Sequence, residues 1–421
     1  MLTIYTDYIT ERLKYTLSII FDDRGIAWEL TDDSSFYENA EGPKFYYSAD
    51  LLLQDTLEIE ASELLFDEGL KNYDLSKIDW EGVKVLSFDG ITDVLASVFY
   101  AVSLYDDYLR TSKDKHGRNI GRHSVLFRNN WLEKLMVERW SLALIGLIER
   151  ENNCSLNALP IPFKYLPTFD IDNAFAYRLK GGLRKQMSVF RDVLKGDKKR
   201  LAERRLVLSG KQKDPYDTFD LIEEIAKKEG DVKVFWLLGD YGEFDKNIHP
   251  KNKEFRTLIQ RVSIFADCGL HPSYQSNSQA NKLAIEKLRL EEILGRKVTH
   301  TRQHFLKVEL PSTFRALEAN GFTDDYSLGY ADQPGFRAGI ARPFFWFDLL
   351  ENRKSNLRLH PISYMDGTLN EYMKLSIDEA KEKIAELRRE VENFGGEFIA
   401  LWHNETIGDY GIWKGWKKLL D

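Results

Sequence analysis

PTFDID, residues 167–172, is a short apolar run that closes on two acids placed two residues apart. Side chains along a β-strand alternate between faces, so Asp170 and Asp172 share one face while Phe169 and Ile171 point the other way into packing. Comparable runs recur downstream at VKVFWLLGD (232–240), IFADCGLH (264–271), THTRQHFL (299–306), YSLGYAD (326–332), RLHPISYMD (358–366) and EFIALWH (397–403). Helical periodicity fills most of the gaps between them. The clearest case is LSIDEAKEKIAELRREVENFGG (375–396), where Ser376 and Glu379 have capping-box spacing and Gly395 stands where a helix stops. EFRTLIQRVSIFAD (254–267) and LPSTFRALEANGF (310–322) read as two more helices. Strands alternating with helices predict an α/β fold with a parallel sheet, barrelled or doubly wound.

In such folds chemistry gathers at the carboxyl ends of the strands. Here most of the runs end on ionisable residues: Asp170 and Asp172, Asp240, His271, Arg302 and His304, Asp332, Asp366 and His403. Arg302 and His304 share a face by the same alternation that pairs the two aspartates. Taken singly, each has a bland explanation. An Asp-x-Asp is more often a cap or turn, and a lone histidine is usually a satisfied structural group. His249 and His360 lie beside prolines and read as structural, while His116, His123 and His300 read as surface residues. Asp89, in SFDG (87–90), opens a helix elsewhere and is a decoy. The ordered set carries the weight, and it suggests a metal-hydrolase site.

Upstream the text is different. LTIYT (2–6) and IAWEL (26–30) read as strands flanking a helix over 9–21. VKVLSFDG (83–90) reads as a buried strand, followed by one long helix over 91–110, a basic loop SKDKHGRNIGRH (112–123) and a helix near 130–151. NCSLNALPIPFKYLP (153–167) carries three prolines and little periodicity, which predicts a boundary. Two domains follow: residues 1–155, α/β and of unassigned role, and residues 160–421, which carry the candidate chemistry. A chain of 421 residues suits that division. Its net charge of −8 disfavours nucleic acid, and the basic stretch 195–205 reads as a solvated helix face. Cys154 and Cys268 are the two cysteines, too few for a thiolate zinc cluster or a disulfide framework. No apolar run reaches membrane-spanning length and no leader pattern opens the chain, so a cytoplasmic protein is expected.

The ordered set resembles the polysaccharide deacetylase (NodB-homology) superfamily. Its first motif has the form TFDD, a catalytic base followed by a metal ligand, and PTFDID matches with one inserted residue, implying Asp170 and Asp172 in those roles. The second motif is His-x-x-x-His; GLHPSYQSN supplies His271 and then Gln275 where the second histidine stands. The third is an arginine that orients the base, placing Arg302 of TRQHF. The fourth lines the substrate groove and places Asp332 of GYADQPGFRAG. The fifth ends a strand on the histidine that acts as acid, His403 of ALWHNE. The chain is also similar to bacterial members with an additional N-terminal domain, through FDID, HPSY, RQHFL, ADQPGFRAG, MDGTL and LWHNE.

The resemblance implies a distorted β/α barrel, a divalent cation with zinc the first choice, and removal of acetyl groups from a carbohydrate. Because Gln275 replaces a histidine, the third ligand is open: His304, Gln275 or a water. Tyr274, Phe336 and Trp402 are candidates for stacking on a sugar ring, and the Tyr274 N–H for an oxyanion donor. Two other readings stand beside this one. A metal-independent C–N hydrolase on the same barrel is favoured by Gln275, and a sugar-binding protein without activity by loss of the metal.

Overall fold

The computed structural model describes residues 1–420 apart from 51–55, 182–189, 191–193, 195 and 197. The N-terminal part opens with four parallel strands, β1 (Leu2–Thr6), β2 (Trp28–Thr31), β3 (Lys44–Ser48) and β4 (Glu58–Glu60), in the order β2-β1-β3-β4. The helix Glu11–Phe21 connects the first two, with the Thr10 side chain accepting from the Leu13 N–H. A separate antiparallel sheet holds β5 (Leu75–Trp80), β6 (Val83–Phe88) and β7 (Ile91–Thr92). Asp89 sits in the turn after β6, accepting from the Asp74 N–H.

The helix expected over 91–110 is broken into Val94–Val102 and Tyr105–Leu109, with Leu104 at φ 59° between them. The bend aims Asp107 at Arg337, 2.7 Å away in a buried ion pair. Breaking such a pair costs about 3–5 kcal/mol, more than the 1–2 kcal/mol or so of a left-handed residue.

The second part is built on nine strands: β8 (Phe163–Ile171), β9 (Lys233–Leu237), β10 (Asp267–His271), β11 (His300–Thr301), β12 (Asp324–Asp325), β13 (Phe344–Asp348), β14 (Arg353–Leu359), β15 (Tyr364–Met365) and β16 (Gly396–His403). Their order is β13-β14-β12-β11-β10-β9-β8-β16-β15, parallel throughout except for the β13–β14 pair. β14 and β15 lie seven strand steps apart, about 34 Å if the sheet were flat. Yet the chain joins them through residues 360–363, which span at most about 18 Å between the strand ends. The sheet must therefore curl. The joining segment stitches the curl: the His360 and Ile362 N–H groups donate to Asp325 and Leu328 carbonyls, and the Ser363 N–H donates to Ile399. Among the described residues the strand ladder itself does not close into the expected barrel, because the β13 and β15 edges do not pair with each other.

Inside the curl lies a small apolar cluster, including Leu166, Phe235, Ile399 and Leu401. Side chains of opposite parity, Phe169, Ile171, Phe398, Ala400 and Trp402, belong instead to the large core outside the sheet. That core is continuous with the N-terminal part. Tyr15 donates to the Phe345 carbonyl at 2.7 Å, and buried Glu138 binds both Arg24 and Arg342.

Several boundaries differ from expectation. β8 starts at Phe163, inside the proline-bearing stretch read as a boundary, because it pairs with β16 from that residue through Asp170. A Cβ at Gly395 would meet the Ile161 carbonyl at 2.0 Å, so only glycine lets the two strands start side by side. Residues 326–332 form no strand: the Tyr326 carbonyl accepts from the Arg302 side chain, and that of Leu328 from the Ile362 N–H. The helix Ile377–Phe394 carries the predicted capping box, with both Ser376–Glu379 bonds formed. Within the basic stretch 195–205, Lys195 and Asp197 lie outside the described residues. Lys198–Leu208 is a helix whose Arg204 turns inward over the Tyr177 ring.

The end of the curl opposite His271 and His403 holds a charged plug. His360 is stacked on Tyr326 at 4.2 Å and lies 2.9 Å from both Asp324 and Glu397. Burial opposes its charge, but the two carboxylates outweigh burial and raise its pKa, while Asp324 is held at about 2 against burial, chiefly by His360. The contribution of His360 is full below the ordinary imidazole pKa and fades as pH climbs through the raised folded value. That of Asp324 fades as pH falls from about 4 toward 2. His360→Gln should therefore cost about 3 kcal/mol near pH 6 and clearly less at pH 9.5, read from urea unfolding at the two pH values. An equal cost at both would show that the imidazole is not charged in the fold.

Candidate functional site

Asp170, Arg302, His271, His304, Asp172 and His403 meet at the carboxyl end of the curled sheet. Asp170 faces inward from β8 beside His403 of β16, its partner in register. Its Oδ1 accepts from the Arg302 guanidinium at 2.9 Å. Arg302 is fully buried and also donates to the Thr168 hydroxyl and the Tyr326 carbonyl. The other oxygen, Oδ2, lies 3.7 Å from His271 Nε2.

His271 ends β10, and its Nδ1 lies 2.6 Å from the Arg302 carbonyl, which can only accept. Nδ1 therefore carries a proton, which leaves Nε2 as the nitrogen facing the cluster. That Nε2 is buried with no hydrogen-bond partner, 3.2 Å from Asp172 Oδ1, itself buried and unpartnered. His304 Nε2 lies 3.3 Å from Asp172 Oδ2, while its Nδ1 is 3.0 Å from Asp245. Donor atoms of Asp172, His271 and His304 all lie within 4.8 Å of one another. One oxygen and two imidazole nitrogens, each ring steadied by an acceptor on its far nitrogen, form a donor set that fits a divalent cation. The two orphaned atoms are the ones such a cation would satisfy.

The site is electrostatically tight. Burial works against charge on Asp172, but His304 and His271 outweigh it and hold this carboxyl well below its usual range. Burial likewise opposes charge on His304, yet Asp172 and Asp245 raise its pKa to about 9. His403 lies 2.8 Å from Asp366 through Nδ1. That carboxylate, with Asp172 and Asp170 behind it, overcomes burial and lifts His403 well above the ordinary value.

Other expected residues go elsewhere. Gln275 accepts from Lys282 and stands outside the donor cluster, whose third member alongside Asp172 and His271 is His304. The Tyr274 N–H is spent on Asp245 at 2.8 Å and is no oxyanion donor, and its ring packs on Phe244 at 4.4 Å. Asp332 accepts from the Gly121 N–H at 2.7 Å, fastening an N-terminal loop rather than lining the same cavity. Phe336 and Trp402 are fully buried and cannot stack on a ligand. Trp402 neighbours His403 but has the opposite parity, which turns it to the outer core. His116, expected at the surface, is buried against aromatic rings, and His300 is only partly exposed, 3.4 Å from Asp267.

Three residues that meet this cluster or its cavity were not assigned from sequence. Asp366 stood among the strand-end acids without a role. Asp245 lies in a loop after β9 with no motif around it. Glu405, two residues beyond His403, lines the cavity, and its pKa is raised by burial and by Asp172. The cavity, about 690 Å³, is bordered by Asp172 and His304 and by the rings of Tyr216, Tyr241, Phe244, Phe305 and Tyr410.

Residues 2–153 match the model of a family of unknown function (DUF7033). Among curated proteins none matches the chain. Solved structures that overlap it include a Mycobacterium smegmatis protein assigned to the polysaccharide deacetylases (14% identity, TM-score 0.39, covering 62% of this chain and 86% of that one). Puue allantoinase overlaps with 11% identity and TM-score 0.37, covering 62% and 83%. The polysaccharide deacetylase Bc1974 from Bacillus cereus overlaps with 12% identity and TM-score 0.28, covering 61% and 88%. These likenesses are too distant to carry function. No helix among the described residues is long and apolar enough to cross a membrane.

Proposed function

We propose that the chain is a metal-dependent hydrolase that removes acetyl groups from an acetylated carbohydrate. The convergence of Asp170, Asp172, His271, Arg302, His304 and His403 from well-separated strands carries this reading. The motif order that resembles the polysaccharide deacetylases supplies the substrate class, and the aromatic border of the cavity suits sugar faces. Because His304 stands where a third donor is needed, Gln275 no longer favours a metal-independent mechanism. The proposal keeps a division of the chain near residues 155–160, supported by the end of the family match at 153 and by the separate sheets.

Asp172, His271 and His304 would hold the cation, zinc being the natural choice for one carboxylate and two imidazoles. Bound there, it supplies a water acidic enough to ionise near neutral pH and polarises the acyl carbonyl. Asp170, fixed through one oxygen by Arg302, presents its other oxygen toward the donor cluster and takes the proton from the attacking water. His403 carries a proton at neutral pH because Asp366 holds the charged ring, and it delivers that proton to the leaving nitrogen or oxygen.

Purified protein should contain close to one equivalent of zinc and release acetate from acetylated amino sugars in a chelator-sensitive way. Protein that takes up no metal and releases no acetate would overturn the proposal. Proton competition gives a further expectation. His304 must lose a proton to bind the cation, so below pH 9 or so the logarithm of zinc affinity should rise by about one per pH unit. Chelator competition between pH 6.5 and 8.5 measures the slope, and a flat profile would remove His304 from the ligand set.

A further inference from the structure

We infer that the N-terminal loop around residues 113–121 is a working part of this site, with Arg118 a positioning residue that holds the turn carrying His304. The inference rests on the proposed ligand role of His304 for its metal readout, and on geometry alone for the rest.

Immediately after His304, Phe305 and Leu306 both adopt left-handed backbone, at φ 63° and 52°. Two successive non-glycine residues rarely hold that conformation unless their surroundings impose it. Arg118 does so from the other part of the chain. Its Nη1 donates to the Phe305 carbonyl at 2.7 Å, its Nη2 to the Tyr372 hydroxyl at 2.8 Å, and its Nε to Asp114 at 2.8 Å. Arg118 is 5% exposed, so all three arms work away from bulk water. His116 presses from the same loop, its ring 4.8 Å from that of Phe305 and 5.5 Å from that of Phe244, and both of these rings border the cavity.

The loop is itself tied down. Asp114 accepts from the His116 and Arg118 N–H groups, Arg110 donates to the Ile120 carbonyl at 2.7 Å, and Asp332 accepts from the Gly121 N–H. A displacement of the loop would move the Phe305 carbonyl, and with it the adjacent His304 and the aromatic wall. The segment that matches the family of unknown function thus reaches the chemistry through residues 114–121. Its role, on this geometry, is to complete and set the site.

The test compares Arg118→Ala and Arg118→Lys with Lys115→Ala, an exposed position on the same loop. Arg118→Ala should weaken zinc binding about tenfold, as loss of an outer-shell support does, and lower kcat more than it raises KM. In metal-free protein it should speed amide exchange at residues 305–307 while Lys115→Ala leaves it unchanged. Arg118→Lys keeps a cation in the slot and should recover part of both effects, and it supplies the same readouts if the alanine variant does not fold. Zinc affinity within twofold of the parent together with unchanged exchange at 305–307 would overturn the inference. If the parent protein binds no zinc, the metal reading falls by itself and the exchange comparison still decides the role of Arg118.

Discussion

Asp170→Asn is expected to lower kcat by about a thousandfold while KM changes little, the scale lost with a positioned general base. Asparagine keeps the shape and can still accept one bond from Arg302, but it cannot take the proton of an attacking water. The substitution also has a structural consequence. Arg302 is fully buried and Asp170 is the carboxylate it contacts. Neutralising that partner strands a buried cation, which costs about 3 kcal/mol of stability. The variant should therefore be assayed well below its melting temperature, with circular dichroism to show that it is folded. Full turnover in folded Asp170→Asn would remove the residue from the mechanism.

His271→Ala should weaken zinc binding by a factor of about 10² to 10³. A four-donor zinc site is worth about 10–16 kcal/mol, so one donor accounts for roughly 2.5–4 kcal/mol, which converts to about that range. His304→Ala should behave alike. Gln275→Ala should leave affinity unchanged, because its carboxamide is engaged by Lys282 and stands outside the donor cluster. The contrast among the three variants identifies the third ligand by direct titration. Treatment with a chelator should abolish acetate release by the parent protein, and added zinc should restore it. A loss at Gln275 equal to that at His304 would mean that the loop after β10 moves when the cation binds.

Much of the candidate site was legible because it is written in strand alternation. The two-residue spacing put Asp170 and Asp172 on one face, and the pairing of β8 with β16 then set Asp170 beside His403. The same rule excludes Trp402, whose parity relative to His403 turns it to the outer core, and it could have been applied there at the outset. Phe336 carried no such local signal: its burial depends on packing of the loop 333–339 against the N-terminal part, where its N–H donates to the Leu132 carbonyl. Asp245 was invisible for a related reason. An acid in an irregular loop is indistinguishable by sequence from a solvated one until His304 and the Tyr274 N–H are seen to meet it.

Local order was set by residues close together in the chain. The capping box at Ser376 and Glu379, the glycine stop at Gly395 and the faces of β8 all follow from interactions over a few positions, where side-chain geometry repeats with a short period. The long-range choices were made only when the sheet curled. They include the placing of His304 rather than Gln275 beside Asp172 and His271, Asp366 behind His403, Asp332 as a fastening for the loop at Gly121, and Arg118 reaching Phe305 across 187 residues. Each depends on where a distant segment lands, and that position is decided by the packing of the whole core rather than by the neighbours of any one residue.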